Sequence, residues 1–360
     1  MLSKCYNFLM LLVFVSLIFS CKSDDDPIGP IGTPGTQELY FPPLAGTWET
    51  TSPEALSWDE NRIQELTTFL ESTNTKAFIL LKDGRIVIEN YFDGFTAGDA
   101  WPWFSAGKTL SAFLVGTIGG INLDTPTESF LGTGWTATTA DQQSTITLRH
   151  QLTMTTGLDD GVTDPFCTDP ECLQFLAEPG TRWAYHNGPY TLITSVIEAA
   201  TGTTLNAYTN ATITATTGIQ GAWGEVGFNK IFFSNARSMA RFGLLLLAEG
   251  HWDNQQLLSD PGFHNLMIFP SQDINPAYGY LTWLNGSSRF MVPGLQASIN
   301  GSIAPSAPAD LYAAMGRNGQ LINVVPSQGL VMIRLGDNPD NSLVPFTYQE
   351  EIWQRLSQVF

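Results

Sequence analysis

The sequence predicts an α+β fold: one antiparallel sheet built from strands at both ends of the chain, flanked by helices, with a mostly helical subdomain inserted between them. Three observations predict it. Near the start, the apolar runs 77–81 and 86–92 flank Asp83-Gly84, a two-residue hairpin turn signal. Near the end, the short apolar runs 278–284, 311–315, 321–325 and 330–335 are each bounded by Gly, Pro or Asn. Between these ends the hydrophobic period changes from that of strands to that of helices.

In chain order, Ser57 and Glu60 form a capping-box signature, and Ile63, Leu66, Phe69 and Leu70 continue at helical spacing. The hairpin follows. The stretch 105–118 is apolar on most sides, as expected of a buried helix. Shorter helices are expected at 148–154 and 190–200. A longer one is expected at 236–249, with Met239, Phe242, Leu245 and Leu246 on one face. A helix at 346–359 closes the chain after the late strands. No internal repeat is visible.

The first residues read as a leader. Lys4 precedes an apolar run, 8–19, which is short for a membrane span and has the length of a signal-peptide core. Ser20-Cys21 then resembles the lipobox of bacterial lipoproteins, which implies that 1–21 is a lipoprotein signal peptide and that Cys21 carries the lipid. The run Asp24-Asp25-Asp26 resembles the sorting tag of surface lipoproteins in Bacteroidetes-type bacteria. The expected location is therefore outside the cytoplasm at the outer membrane, attached through Cys21. Residues 22–55, with Pro27, Pro30, Pro34, Pro42 and Pro43, read as an extended tether, leaving 56–360 as the folded domain. In an exported chain, Cys167 and Cys172 are expected to pair as a disulfide. No further ligands near them suggest a metal site. The net charge of −18, with no basic run to reverse it locally, argues against nucleic-acid binding.

The chemistry centres on Lys108, one of only six lysines. It lies in Trp103-Phe104-Ser105-Ala106-Gly107-Lys108, among apolar residues and near a helix N-terminus. Burial and the positive end of the helix dipole both disfavour an ammonium, and a neutral amine is a competent base. Ser105, three residues earlier, shares a helical face with it, so hydroxyl and amine can meet. Gly107-Lys108-Thr109 imitates the end of a nucleotide-binding loop, but Pro102 stands where that motif needs glycine. A second segment, Gly180-Thr181-Arg182-Trp183-Ala184-Tyr185-His186-Asn187-Gly188, places Tyr185 and Asn187 on one side of an extended chain, with His186 pointing away as a structural residue. A third, Ala314-Met315-Gly316-Arg317-Asn318-Gly319, offers glycines for close backbone approach, or simply a hairpin turn at Asn318-Gly319.

Ser-Ala-Gly-Lys, then Tyr-His-Asn, then a Gly-containing late strand, in that order, resemble the serine beta-lactamase and penicillin-binding-protein superfamily over roughly residues 57–360. Tyr-x-Asn points to its class C-like branch, which includes esterases, D-amino-acid peptidases and 6-aminohexanoate-dimer hydrolases. The stretches 146–158 and 234–243 also look familial. The resemblance implies a beta-lactamase-like fold, a Ser105 acyl-enzyme, proton transfer by Lys108 and Tyr185, and Asn187 orienting the lysine or substrate. It implies an oxyanion site formed by backbone N–H groups of Ser105 and the late strand at Gly316, Arg317 and Gly319. It requires no cofactor or metal. Ala314 stands where the family carries a carboxylate-binding lysine, so an ester, amide or short-peptide substrate is expected before a beta-lactam.

Four other readings stand beside this one, the first a non-enzymatic surface adhesin, which leaves Lys108 among apolar neighbours and the ordered motifs unexplained. A beta-lactamase or D-Ala carboxypeptidase would use the same groups. A catalytically silent sensor of the same fold would be free to lose Ser105, Lys108 or Tyr185, and all three are present. An α/β-hydrolase would need a Gly-x-Ser-x-Gly elbow, which the chain lacks. Pocket shape is expected to depend on the loops 167–172 and 286–308.

Overall fold

The computed structural model describes residues 38–340 and 342–360. Its centre is a six-stranded antiparallel sheet, ordered Arg85–Tyr91, Thr75–Lys82, Leu330–Gly336, Gln320–Val325, Tyr312–Gly316 and Trp283–Leu284. The N-terminal hairpin therefore joins the late strands edge to edge, with Ile79 opposite Ile333 and Leu81 opposite Val331. Asp83 (φ 48°) and Gly84 (φ 83°) make the expected turn. Of the expected strand 278–284, only Trp283–Leu284 is regular; it pairs with Tyr312 and Ala313 of the sheet, and Trp283 also bridges back to Tyr278. Beyond Ala313 the outer edge of Tyr312–Gly316 is left open, and the site forms there.

Both faces of the sheet are covered, which is why its central strands read as continuous apolar runs rather than alternating ones. On one face lies the helix Ala236–Leu247. Gly243 crosses so close that a Cβ would sit 2.4 Å from Val331 Cγ1 and 3.1 Å from Ile322 Cγ2. On the other face lie Glu60–Ser72 and Phe346–Leu356. There Asn323 Nδ2 donates to Gln349 Oε1 (2.8 Å), and Trp353 Nε1 donates to Asn323 Oδ1 (2.7 Å), so both ends of the buried Asn323 amide are paired with the helix.

Arg334, fully buried, has no carboxylate partner among the described residues. Its guanidinium lies over Tyr348 and donates to the carbonyls of Thr73 (2.8 Å), Asn318 (2.6 Å) and Gly319 (3.2 Å) and to Thr75 Oγ1 (3.1 Å). It thereby fixes the turn Arg317–Gly319 against the first strand.

Several expectations are corrected. The first helix is capped by Asp59, whose carboxylate accepts from Asn61 N (2.9 Å) and Arg62 N (3.2 Å). Ser57 instead ends a preceding 3₁₀ turn in the left-handed region. The stretch expected as tether up to residue 55 is docked from Tyr40 onward. Tyr40 N donates to Asp83 O (3.0 Å), buried Trp48 donates through Nε1 to Gly84 O (2.7 Å), and Thr51 N donates to Ile86 O (2.9 Å). The leader, Cys21 and the rest of the expected tether lie outside the described residues. No described helix is long and apolar enough to cross a membrane. The sequence reading missed the hairpin Gly221–Val226/Asn229–Ser234, whose second strand also pairs with Trp101–Pro102.

The contact at Gly243 gives a direct check. Gly243→Val forces a methyl group into Val331 and is expected to destabilise the domain by about 1–3 kcal/mol, read as a lower denaturant midpoint at unchanged slope.

Candidate active site

Trp103 sets the position of Ser105. Its N–H donates to Phe232 O (2.9 Å), its indole donates to Ser234 Oγ (2.8 Å), and its ring packs edge-on against Phe232. Held there, the chain turns through Phe104 in the left-handed region (φ 47°), a strained conformation for an aromatic residue. Ser105 therefore lies in a 3₁₀ turn, Phe104–Ala106, directly ahead of the helix Gly107–Gly116 rather than within it. Gly316 approaches the same turn so closely that a Cβ would be 2.3 Å from Trp103 O. Only glycine lets the late strand lie against the turn that carries the hydroxyl.

Lys108, in the first turn of the helix, is 3% exposed. Its Nζ is 2.9 Å from Ser105 Oγ and donates to Asn187 Oδ1 at 2.8 Å. The faces of Tyr190 and Tyr185 lie 4.1 Å and 5.0 Å from Nζ. Burial, with no carboxylate nearby among the described residues, lowers the Lys108 pKa to about 7. Near neutrality the amine is thus divided between two forms. The ammonium donates to Ser105, and the free amine presents its lone pair to the Ser105 O–H.

Tyr185 is also buried, and burial pushes its pKa up, opposed by the Ser105 hydroxyl. Its ring stacks on Trp283 (5.8 Å between centroids), within a cluster that includes Trp183 and Tyr278. The phenol is therefore held protonated. Asn187 opens the short helix Asn187–Thr191, which turns its amide toward Lys108. His186 is buried, and desolvation lowers its pKa to about 4. It makes no contact with the Ser105–Lys108 pair.

The cleft over these groups has two lobes. One, 260 Å³ in volume, includes Ser105, Lys108, Asn187, Tyr190 and Arg317. The other, 420 Å³, includes Tyr185 and Asn187. A larger hollow of 720 Å³, between residues 38–44 and Trp252, contains none of this chemistry. The structure thus brings together Ser105, Lys108, Tyr185 and Asn187, with Gly316 and Arg317 beside them. Gly319 is a correction: it sits behind the turn against Arg334, where a Cβ would be 2.6 Å from Nη1, and does not line the cleft. Asn318 (φ 64°) and Gly319 (φ 74°) form the hairpin turn. Cys167 and Cys172 are joined as a disulfide, with Cα atoms 5.9 Å apart. The sequence reading missed Tyr190 and Trp283, because no periodicity marks a ring that reaches the lysine from five residues beyond Tyr185. It also missed the hairpin residues Val226 and Ile231 and the segment 342–347 as cleft walls. Among the described residues, no group of three His, Cys, Asp or Glu side chains is placed to hold a metal ion.

The beta-lactamase family model matches residues 66–336, and the chain belongs to that family. Its fold is the beta-lactamase-like α+β fold of the serine beta-lactamase and penicillin-binding-protein superfamily. No curated protein matches. Among solved structures, it is similar to a protein assigned as a beta-lactamase from Bacteroides dorei (16% identity, 84% of this chain and 99% of that one, TM-score 0.66). It is similar to one assigned as a 6-aminohexanoate-dimer hydrolase from Bacillus anthracis (15% identity, 89% and 90%, TM-score 0.65). A third is EstCE1, a hydrolase with promiscuous acyltransferase activity (14% identity, 83% and 98%, TM-score 0.59).

The buried amine has a measurable consequence for stability. Lys108 titrates near 7 when folded and near 10.5 when unfolded, so between these values the unfolded chain holds a proton that the folded one lacks. The penalty of burying the amine is complete below pH 7 and fades as pH rises toward 10.5. Lys108→Met is therefore expected to gain most relative to the parent at pH 6 and to lose that advantage by pH 10, in denaturant midpoints measured at both pH values.

Proposed function

We propose that the chain is a serine hydrolase that forms an acyl-enzyme on Ser105 and cleaves an ester or amide. The observation that carries the reading is the 2.9 Å contact between the Ser105 hydroxyl and an amine whose pKa burial has brought to about 7. The neutral Lys108 amine takes the Ser105 proton as Oγ attacks the carbonyl carbon. Asn187 Oδ1, accepting from Nζ, keeps the lone pair turned toward Oγ. The tetrahedral intermediate collapses as its leaving group takes a proton from the Tyr185 phenol, which Lys108 then reprotonates. Water repeats the sequence on the acyl-enzyme and frees Ser105.

The developing oxyanion is assigned to the backbone N–H groups of Ser105 and Arg317. Strand alternation supports Arg317. Leu311 O accepts from Asn285 N (2.9 Å) on the outer edge, so 313, 315 and 317 turn their backbone groups to that same edge, which is open at the cleft.

Ala314 is buried and neutral where the family's carboxylate-binding lysine would stand, which favours an ester or amide over a beta-lactam. The same reading places the domain outside the cytoplasm, tethered through a lipid on Cys21. The disulfide Cys167–Cys172 is in keeping with an oxidising compartment.

The test is a panel of nitrophenyl esters, anilides, D-peptides, aminohexanoate oligomers and a chromogenic cephalosporin. Ester turnover is expected to exceed cephalosporin turnover and to vanish in Ser105→Ala. Tyr185→Phe is expected to lower kcat on the order of 10²–10⁴-fold, most for anilides, whose poor leaving group depends most on proton donation. Turnover retained by Ser105→Ala would overturn the assignment.

A further inference from the structure

The two lobes of the cleft share three residues, Phe166, Asn187 and Leu343. Asn187 belongs to the polar site. Phe166 and Leu343 do not, yet they stand where the lobe holding Ser105 meets the lobe holding Tyr185. A substrate that spans the two lobes would run alongside them.

The walls beyond this pair carry apolar side chains on both sides, Val226 and Ile231 in one lobe beside Asn229, Lys230 and Arg317, and Val292 and Phe346 in the other beside Asp160. Leu343 is 38% exposed and Val226 is 48% exposed, which is apolar surface left facing the cleft for something to cover.

Phe166 lies on a loop without helix or strand, yet its backbone is closely held. Phe166 N donates to Asp164 Oδ1 (2.9 Å), and Gly188 N donates to Pro165 O (2.9 Å). A Cβ on Gly188 would be 2.5 Å from Cys167 O, so the loop lies directly on the helical turn that presents Asn187. The next residue, Cys167, is buried and bonded to Cys172. The cystine ties the loop one residue away from the ring.

We propose that Phe166, paired with Leu343 and positioned by the Cys167–Cys172 disulfide, is a specificity-determining residue that selects substrates with extended apolar groups across the scissile bond. This rests on the hydrolase reading above and names the substrate class for the same site. The disulfide acts through Phe166 and touches no reacting atom. Breaking it lets the loop leave the Asn187 turn and withdraws the ring from the cleft.

The experiment compares nitrophenyl acetate with nitrophenyl octanoate on the full chain, alongside equilibrium binding of sodium octanoate by calorimetry. For the parent, kcat/KM is expected to favour octanoate. In Phe166→Ala that preference is expected to fall on the order of tenfold, through KM, and Phe166→Leu is expected to restore part of it. Cys167→Ser/Cys172→Ser, and the parent reduced with a phosphine, are expected to show the same loss of chain-length preference. Equal losses on both esters, through kcat alone, would make Phe166 merely structural and overturn the proposal. So would an unchanged preference in Phe166→Ala. If neither an ester nor an amide is turned over, the hydrolase reading fails by itself. Octanoate bound by the parent and released by Phe166→Ala would still support the apolar clamp, and octanoate bound equally by both would overturn it.

Discussion

The structure depends on one constraint: a lysine amine is buried beside a serine hydroxyl with no carboxylate among the described residues to keep it charged. Among the described residues, the partners of Lys108 Nζ are neutral: the Ser105 hydroxyl, the Asn187 amide oxygen and the faces of Tyr185 and Tyr190. An aspartate at 187 would hold the ammonium charged and leave no free lone pair on the amine. Asn187 can accept from the amine in either protonation state, so it orients the lysine without fixing its charge. The aromatic walls do the rest, by excluding water from the amine and from the phenol. One consequence is opposite in sign for the two groups: burial brings the lysine down toward neutrality and keeps the tyrosine protonated.

The fold supplies rigidity where this arrangement needs it. Trp103, locked into the hairpin Gly221–Val226/Asn229–Ser234 by two hydrogen bonds, holds Phe104 in a conformation it would not adopt alone. Gly316 lets the last edge of the sheet touch that turn. Arg334, satisfied by the carbonyls of Thr73 and Asn318, fastens the turn after Gly316. The sheet joins the chain's two ends because the N-terminal hairpin alone cannot bury both of its faces. The late strands complete it, and the site forms where their outer edge runs out of a partner.

Much of this was legible in the sequence, and for definite reasons. Asp83-Gly84 between apolar runs specifies a tight hairpin wherever it occurs, and it formed as expected. The spacing Ser105–Lys108 and Tyr185–Asn187 placed four polar groups on surfaces that the fold then brings together. What was not legible depends on contacts distant in sequence. Tyr40 and Trp48 lie in a Pro-rich stretch that reads as a tether. Only the edge strand beside them, offering Asp83, Gly84 and Ile86, makes that stretch part of the body. Asp59 outcompeted Ser57 as the cap because the chain at Ser57 was already committed to closing a 3₁₀ turn. Gly319 carried the same local signal as Gly316. Which of them faces the cleft is decided by Arg334, fifteen residues later.

The most direct test of the account is the titration of the lysine side chains by nuclear magnetic resonance in ¹³C-lysine-labelled protein. Lys76, Lys82, Lys108 and Lys230 are the lysines of the described structure, so the resonances are few, and Lys108 is identified by the signal missing from Lys108→Arg. The account predicts that the Lys108 resonance titrates near pH 7. A Lys108 resonance that stays fully protonated to pH 10 would contradict it.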